Sequence, residues 1–271
     1  MSENGIRSRP VLKYDDGLFI EEIDEIAEEF PLTIVLNGDE WATMVCTPSD
    51  LRELVVGFLA SEGVIRRYEE IDELTIDESK GFAYIKMDGM QVQRTEKVSK
   101  RFIGSCCGKS RQFYFHNDMM TAKTVMSQTQ ISAKEAIRLM ENLHESSGQF
   151  QRTGGMHNAA ISSRDGTVQF YQDIGRHNAL DKLYGYCLIH HVPVKDKIIA
   201  FSGRISSEVL LKVSKMGIGI LLSKSAPTDL ALELAEDLGI TAIGFIRGSR
   251  MNVYTHPERI AEAAVYPNTI I

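Results

Sequence analysis

The sequence predicts an α/β protein in which a larger α/β domain, built as a three-layer sandwich, follows a smaller α+β domain. After residue 131, short apolar runs such as IIAF and AIGF alternate with amphipathic segments of about ten residues, which is typical of a largely parallel sheet covered on both faces by helices. Gly217 and Gly239 stand where two of these helices are expected to end. The first third of the chain lacks this alternation. The 271 residues, 43% of them hydrophobic, suffice for two cores.

The smaller domain is predicted over residues 1–95 and contains two hairpins around one helix. These elements are expected at residues 32–36 and 41–46, then at 47–62, then at 74–76 and 82–87. Asn37-Gly38 favours the turn of the first hairpin. Thr47 and Pro48 are expected to open the helix, as its N-cap and its first helical residue.

Residues 96–130 are expected to form an exposed, mobile connection, because polar and basic residues dominate there and apolar periodicity is lost. Ser132 and Glu135 form a capping-box pattern that starts the next helix, so the larger domain is placed at residues 131–271. Its elements are a hairpin at 159–162 and 167–171, a helix at 178–189, a strand at 197–201, a helix at 206–216, a strand at 219–222, a helix at 228–238 and a strand at 240–245.

Charge and hydropathy restrict the partners and the compartment. The formal net charge of −7 disfavours broad binding to nucleic acid or to anionic membranes, so any anion site is expected to be local. The N-terminal segment lacks an apolar stretch of the signal-peptide type, and no run approaches the roughly 18 apolar residues of a membrane helix. We therefore expect a cytoplasmic protein. Four cysteines without a C-x-x-C pair argue against a disulfide framework and against structural zinc.

Small, hydroxyl and basic residues follow each inner strand of the predicted sheet. Ligands of open α/β sheets bind beyond the carboxyl ends of the strands. Backbone N–H groups, hydroxyls and guanidinium groups suit phosphate or pyrophosphate, so we predict an anion site at this edge. Any single cluster is equally well explained by ordinary loop composition, and it is the agreement of three that favours an anionic ligand. The three clusters are Ser202-Gly203-Arg204, Ser223-Lys224-Ser225 and Arg247-Gly248-Ser249-Arg250, with Arg152 and Arg176 in nearby loops.

Two histidines precede asparagine in the strings TGGMHNAA and DIGRHNALDKL. His157 and His177 are candidates to hydrogen-bond a heterocycle or to carry a proton. The alternative is that each satisfies a turn or a cap. Asn178 and Asp181 resemble a helix cap with an acidic third residue.

The four cysteines fall into two settings. Cys46 ends a predicted strand and Cys187 lies on the apolar face of a predicted helix, so packing is their expected role. Cys106 and Cys107 are adjacent in the predicted mobile connection, among glycines and basic residues. This setting favours a thiolate, and a mobile segment allows a sulfur to move between sites. A pair without a chemical role is the alternative.

Together the strings quoted above, with GSCCGKS, SGRISSE and SAPTDLALELAEDLGITAIGFIRGSRMNVYTH, resemble the formate dehydrogenase accessory sulfurtransferase (FdhD) family over nearly the whole chain. The resemblance implies a cytoplasmic homodimer with a cytidine-deaminase-like core and a smaller additional domain. It implies a sulfur carrier that takes persulfide sulfur from a cysteine desulfurase. The sulfur goes to the molybdenum cofactor, bis-molybdopterin guanine dinucleotide, before that cofactor enters formate dehydrogenase. Free guanine nucleotide is a further candidate ligand.

The resemblance also assigns residues. The family's C-G-x-C-G string is replaced here by Gly104-Ser105-Cys106-Cys107-Gly108. Cys107 keeps its following glycine and is the expected persulfide carrier, with Cys106 as helper or substitute. The family's cofactor-binding segment corresponds to Phe245, Ile246, Arg247, Gly248, Ser249 and Arg250.

Three other functions stay open at this point. A zinc-dependent deaminase is disfavoured because the H-x-E and P-C-x-x-C strings are missing, so no metal is expected. A hydrolase with Cys107 as nucleophile and His157 or His177 as base would form an acyl or thioether adduct. A noncatalytic chaperone for the cofactor would work without either cysteine.

Overall fold

A computed structural model describes residues 5–88, 101–103 and 122–263, with the side chains of 101–103 excepted. The chain begins with an arm, a two-stranded antiparallel hairpin of β1 (Ile6–Asp15) and β2 (Leu18–Ala27). Most of both strands is exposed, including large apolar side chains such as Leu12 and Phe19. The sequence analysis assigned no element to this segment.

A five-stranded sheet with the order β5-β6-β3-β4-β7 forms the smaller domain. Its strands are β3 (Phe30–Leu36), β4 (Asp39–Cys46), β5 (Glu73–Asp77), β6 (Phe82–Lys86) and β7 (Arg101–Ile103). Helix α1 (Leu51–Ser61) packs its apolar residues into the core of this sheet. The predicted hairpins are present, and Asn37 and Gly38 make the first turn with φ of 50° and 91°.

The opening of α1 differs from the prediction. The helix starts at Leu51 with Asp50 as N-cap, so Thr47 and Pro48 lie before it. Thr47 is buried, and its hydroxyl and N–H bind the larger domain instead. A tertiary contact has therefore overridden the local capping signal.

The larger domain is built on a six-stranded sheet with the order β13-β12-β11-β10-β8-β9. The strands are β8 (His157–Ser163), β9 (Gly166–Asp173), β10 (Ile198–Phe201), β11 (Ile220–Ser223), β12 (Thr241–Arg247) and β13 (Arg250–Val253). The helices are α2 (Ala133–Glu145), α3 (Gly148–Thr153), α4 (Arg176–Ile189), α5 (Ser207–Met216) and α6 (Asp229–Asp237). The order and type of the predicted elements are confirmed.

Helices cover both faces of this sheet. Apolar residues of α2 pack against one face, and those of α4, α5 and α6 pack against the other. The prediction of a largely parallel sheet is wrong, because only the β10–β11 and β11–β12 pairs are parallel. The outer pairs, β10–β8, β8–β9 and β12–β13, are antiparallel. The specific likeness to a cytidine deaminase stays a prediction.

Two parts of the predicted connection are described, and each contributes a residue or a strand to a domain. Residues 101–103 form β7, which pairs with β4. Val125 is 6% exposed and its N–H donates to Leu238 O at 2.8 Å, so it belongs to the core of the larger domain. Residues 89–100 and 104–121 lie outside the described residues, and the domain boundaries stay a prediction.

The two domains meet where α1 crosses α4, and glycine is required on both helices. A Cβ built on Gly57 would lie 1.7 Å from Asp181 O, and one on Gly185 would lie 1.9 Å from Glu53 O. No side chain fits between backbones this close. In the described ranges, none of the helices has the length and apolar character needed to cross a bilayer.

Candidate functional site

The strand register brings the predicted anion-binding residues to one edge of the six-stranded sheet. Parallel pairing aligns the carboxyl ends of β10, β11 and β12. β8 runs antiparallel to β10 and β9, with Phe201 opposite Ala159 and His157 opposite Asp173. The start of β8 and the end of β9 therefore lie at the same edge. We call this edge the cationic edge, for Arg176, Lys224 and Arg247.

Three helices also begin at the cationic edge. Helices α4, α5 and α6 follow the ends of β9, β10 and β11. The N-terminus of a helix carries partial positive charge and free N–H groups. The basic side chains and the helix ends thus act in the same direction, which favours an anion.

Hydrogen bonds hold the loops of this edge together. Ser202 Oγ accepts from Asn158 N at 2.9 Å, and Ser225 Oγ donates to Ser202 O at 3.0 Å. Phe245 N donates to Ser225 O at 3.3 Å. The chain from β8 to β12 is therefore connected across the edge, and Ser202, a predicted ligand residue, also has this structural role.

Glycine is needed next to Ser202. A Cβ on Gly203 would lie 2.8 Å from the Phe201 ring and 3.4 Å from Arg176 Cβ. Arg176 Nε is buried without a hydrogen-bond partner among the described residues. An unsatisfied buried donor is costly, so this one is a candidate for a ligand contact.

The two predicted histidines have different surroundings. Burial, and secondly the charge of Arg176, lowers the pKa of His157 below its usual range. His157 is therefore neutral at neutral pH and suited to hydrogen bonding. His177 Nε2 lies 3.0 Å from Glu208 Oε2, at the first turns of α4 and α5. The sequence analysis missed Glu208, although it lies in the quoted SGRISSE string.

Asn178 is part of the domain interface rather than a helix cap. α4 starts at Arg176 with Gly175 as N-cap, so the predicted cap is wrong. Asn178 Nδ2 donates to Asp173 Oδ1 at 2.8 Å and to Val45 O at 2.9 Å. Its amide group is thus used to join the domains.

Asp173 is the centre of this buried network, and the sequence analysis gave it no role. Its carboxylate is fully buried, pairs with Lys182 Nζ at 2.9 Å, and accepts from the N–H groups of Thr47 and Gly175 at 3.1 and 2.8 Å. The contacts fix the segment that carries Arg176 and His177. The sequence signal for this role was the carboxylate of Asp173 at the start of the string DIGRHN.

Phe245 has a strained backbone and an exposed ring. Its φ is 52°, a value that bulky residues rarely adopt, and its side chain is 39% exposed beside a bulge in the β12–β13 pairing. Such strain costs about 1–3 kcal/mol and is concentrated at functional sites. Arg250, predicted to lie in a loop, begins β13 instead.

A cavity of about 490 Å³ lies between α2 and the ends of β11 and β12. Ile246, Arg247 and Gly248, all predicted site residues, line it together with Lys224. Burial, and secondly Arg247, lowers the pKa of Lys224. The other predicted binding residues, which do not line this cavity, are Phe245, Ser249, Arg250, Ser202, Arg204, Arg176, His157 and His177.

Two of the four cysteines are described, and both are buried. Burial raises the pKa of Cys46 well above its usual range and that of Cys187 to about 12. Neither is a thiolate at neutral pH, so neither is suited to sulfur chemistry. Cys106 and Cys107 lie outside the described residues. Among the described residues, no group of three or more metal-ligating side chains is close enough to hold a metal ion.

A layered α/β core with a cationic edge, joined to an α+β domain, defines an α/β protein with a candidate anion site at the carboxyl ends of its strands. The chain belongs to the FdhD/NarQ family, whose sequence profile matches residues 27–261. This confirms the resemblance.

The chain is similar to several relatives along almost its whole length. "Sulfur carrier protein FdhD" of Geobacillus kaustophilus is 60% identical over 260 residues, which cover 96% of this chain and 99% of the relative. The protein of the same description in Bacillus subtilis is 53% identical over 262 residues, 97% of this chain and all of the relative. A proposed formate dehydrogenase accessory protein from Desulfotalea psychrophila, known from its crystal structure, has a TM-score of 0.77 at 24% identity, with 94% and 99% coverage. This last likeness shows the fold.

Proposed function

We propose that this protein is a cytoplasmic sulfur carrier that serves the maturation of formate dehydrogenase. It accepts persulfide sulfur from a cysteine desulfurase and transfers it to bis-molybdopterin guanine dinucleotide, its substrate. Family membership and the description of its 60% identical relative as a sulfur carrier support this function. The family resemblance extends the proposal to a homodimer with a cytidine-deaminase-like core.

The surroundings of the two described cysteines support the choice of carrier. Cys46 and Cys187 are buried and protonated, which leaves Cys106 and Cys107 among the four cysteines. Cys107 keeps the family's following glycine and is the proposed carrier. Its thiolate attacks the outer sulfur of the desulfurase persulfide, the S–S bond to the desulfurase breaks, and the desulfurase cysteine leaves as a thiolate. In this loading step one sulfur moves and no external oxidant or reductant is consumed.

The cationic edge is the observation that carries the cofactor part of the proposal. Arg176, Lys224 and Arg247 have no acidic partner in residues 5–88 and 122–263, and three helix N-termini open beside them. The pyrophosphate groups of the cofactor's dinucleotides supply the missing charge. The exposed ring of Phe245 is suited to stack on a flat heterocycle.

Intact mass spectrometry tests the sulfur step. The purified protein is incubated with an active cysteine desulfurase and cysteine, and the wild type is compared with Cys106→Ser and Cys107→Ser. We expect the mass of one additional sulfur, removed by a thiol reductant, in the wild type and in Cys106→Ser only. No added sulfur in the wild type overturns the proposal. An acyl or thioether adduct would indicate the hydrolase instead.

A noncatalytic cofactor chaperone is the second candidate, and the cationic edge favours it because its basic residues do not depend on either cysteine. The two candidates differ in one experiment. A Cys106→Ser/Cys107→Ser double variant that still activates formate dehydrogenase would show a chaperone. Loss of activation with retained cofactor binding would support the carrier.

A further inference from the structure

The N-terminal arm exposes large apolar side chains on both of its faces. Of the twelve large apolar side chains that are exposed among the described residues, seven lie on β1 and β2. They are Leu12, Tyr14, Leu18, Phe19, Ile20, Ile23 and Ile26, each between 44% and 68% exposed. A side chain of this size exposes on the order of 100 Å². Together they exceed the few hundred Å² that a monomer usually leaves in one apolar patch, which indicates a partner.

The register of the hairpin separates these side chains into two faces. Tyr14 pairs with Phe19 and Pro10 with Ile23, so these four residues and Leu12 share one face, which we call the apolar arm face. The rings of Tyr14 and Phe19 lie 5.2 Å apart, measured between their centroids. The opposite face carries Leu18, Ile20 and Ile26 together with six charged residues, Arg7, Arg9, Lys13, Asp15, Glu22 and Asp24. The apolar arm face is therefore the one better suited to exclude water.

The apolar arm face is covered at its base and exposed toward its tip. At the base, Ile6 is buried and Glu25 pairs with Arg152 of α3. A Cβ built on Gly155 would lie 3.3 Å from Ala27 Cβ. Toward the tip, the four large apolar side chains of this face are 63–68% exposed. The face thus continues from a contact within the chain to a surface that the described residues leave open.

The charges of the two strands restrict how two arms can meet. The basic residues of β1 are Arg7, Arg9 and Lys13, and the acidic residues of β2 are Glu21, Glu22, Asp24 and Glu25. Arms joined edge to edge around a two-fold axis place each strand beside its own copy, so like charges would lie opposite each other. Pairing of β1 with β2 of the next copy would continue without closing. A closed dimer is therefore expected to use the apolar arm face, on which Glu21 is the single charged residue between positions 10 and 23.

We propose that Leu12, Tyr14, Phe19 and Ile23 of one chain pack against the same four residues of a second copy around a two-fold axis. The inference rests on the proposed function, of which the homodimer is a part, and it gives that homodimer a contact surface. The two exposed surfaces together offer roughly 1,000 Å², the lower limit for a specific interface. Aromatic residues such as Tyr14 are also enriched among the residues that dominate binding energy.

Sedimentation equilibrium of the full chain tests this contact. We expect the wild type to be a dimer at micromolar concentration. The double variant Leu12→Ser/Phe19→Ser should raise the dissociation constant at least about 100-fold, because a few apolar anchors carry most of the binding energy of an interface. Leu18→Ser/Ile20→Ser is the matched control, since it removes two exposed apolar side chains from the opposite face of the same arm. Its dissociation constant should stay within about threefold of the wild-type value.

Hydroxyl-radical labelling of the wild type follows the same contact without any substitution, so its result does not depend on the folding of a variant. The labelling of Tyr14 and Phe19 should fall severalfold as the protein concentration is raised through the dissociation constant. Tyr84, which is exposed on β6, should be labelled equally at all concentrations.

Three results would overturn the inference. A monomeric wild type would remove the homodimer as well. A dimer that survives Leu12→Ser/Phe19→Ser would leave the homodimer but place its contact elsewhere. Equal dissociation of both double variants would show that the apolar arm face has no special role. None of these results affects the sulfur-loading experiment, so the sulfur-carrier part of the proposed function is tested separately.

Discussion

The domain interface and the cationic edge lie close together, but their charged side chains differ in whether they have partners of opposite charge. In the interface, Lys182 pairs with Asp173, and both side chains are completely buried. Lys212 pairs with Asp181, which also accepts from Ser61 Oγ at 2.6 Å. At the edge, Lys224 and Arg247 adjoin each other without an acidic partner among the described residues. The charges of the first region are paired within the fold, whereas those of the second are available to the anion that we propose as ligand.

This difference shows how the site depends on the interface. Asp173 is bound by Thr47 from the smaller domain and by Lys182, Gly175 and Asn178 from the larger one. Arg176 and His177 follow Asp173 closely in the sequence. The basic side chains of the edge repel one another. They are held in place by the neighbouring network around Asp173, in which each charge has a partner.

The largest expected effect is on stability, from Asp173→Ala. The change leaves Lys182 buried and unpaired, and the loss of a partner from a buried pair costs about 3–5 kcal/mol. Urea unfolding followed by the fluorescence of Trp41, the single tryptophan, measures it.

The exposed pair of Glu73 and Lys86 provides a matched control, and Glu73→Ala should cost less than about 1 kcal/mol. The double variant Asp173→Ala/Lys182→Met should recover part of the loss, because no charge is then left unpaired. A loss below about 1 kcal/mol in Asp173→Ala would contradict the contrast between interface and edge.

The second effect is steric, from Gly57→Ala. The new Cβ would meet Asp181 O, so α1 and α4 must move apart. We expect a loss of about 3 kcal/mol, the upper end of the range for overpacked sites. Gly148→Ala is the control, because its Cβ meets nothing within 4 Å at a helix start. Alanine there should be neutral or stabilising by up to about 1 kcal/mol, and equal effects of both changes would refute a tight crossing.

Sequence periodicity predicted most of the larger domain because its strands are uninterrupted apolar runs and its helices have caps that act locally. Ser132 is one such cap, since its hydroxyl accepts from Glu135 N at 3.1 Å. Thr47 and Asn178 carry the same kind of signal, but their side chains bind backbone groups more than 125 residues away in the sequence, Ile174 N and Val45 O. No local pattern distinguishes these two uses of a polar side chain.

The anion site was predictable in part for a similar reason. Residues after strand ends converge whenever the strands are parallel, so Arg247 could be placed without coordinates. Glu141 and Glu145, which line the same cavity as Arg247, come from α2, and α2 packs on the opposite face of the sheet from α4, α5 and α6. Their place beside Arg247 follows from packing between layers, which the spacing of residues does not encode.

The smallest expected effect has the opposite sign and comes from Lys224→Met at the cationic edge. Burial and Arg247 already lower the pKa of Lys224, so its charge is held at a cost in the folded protein. Removal of that charge should leave the free energy of unfolding unchanged within about 0.5 kcal/mol, or raise it. Inorganic pyrophosphate should stabilise the wild type more than the variant, because the stabilisation by a ligand that binds only the folded state increases with the logarithm of its affinity. Lys134→Met, which removes the same charge from an exposed position on α2, should respond to pyrophosphate as the wild type does. The free energy of unfolding in urea is measured for all three proteins with and without pyrophosphate. Equal stabilisation of all three would contradict an anion-binding role for Lys224.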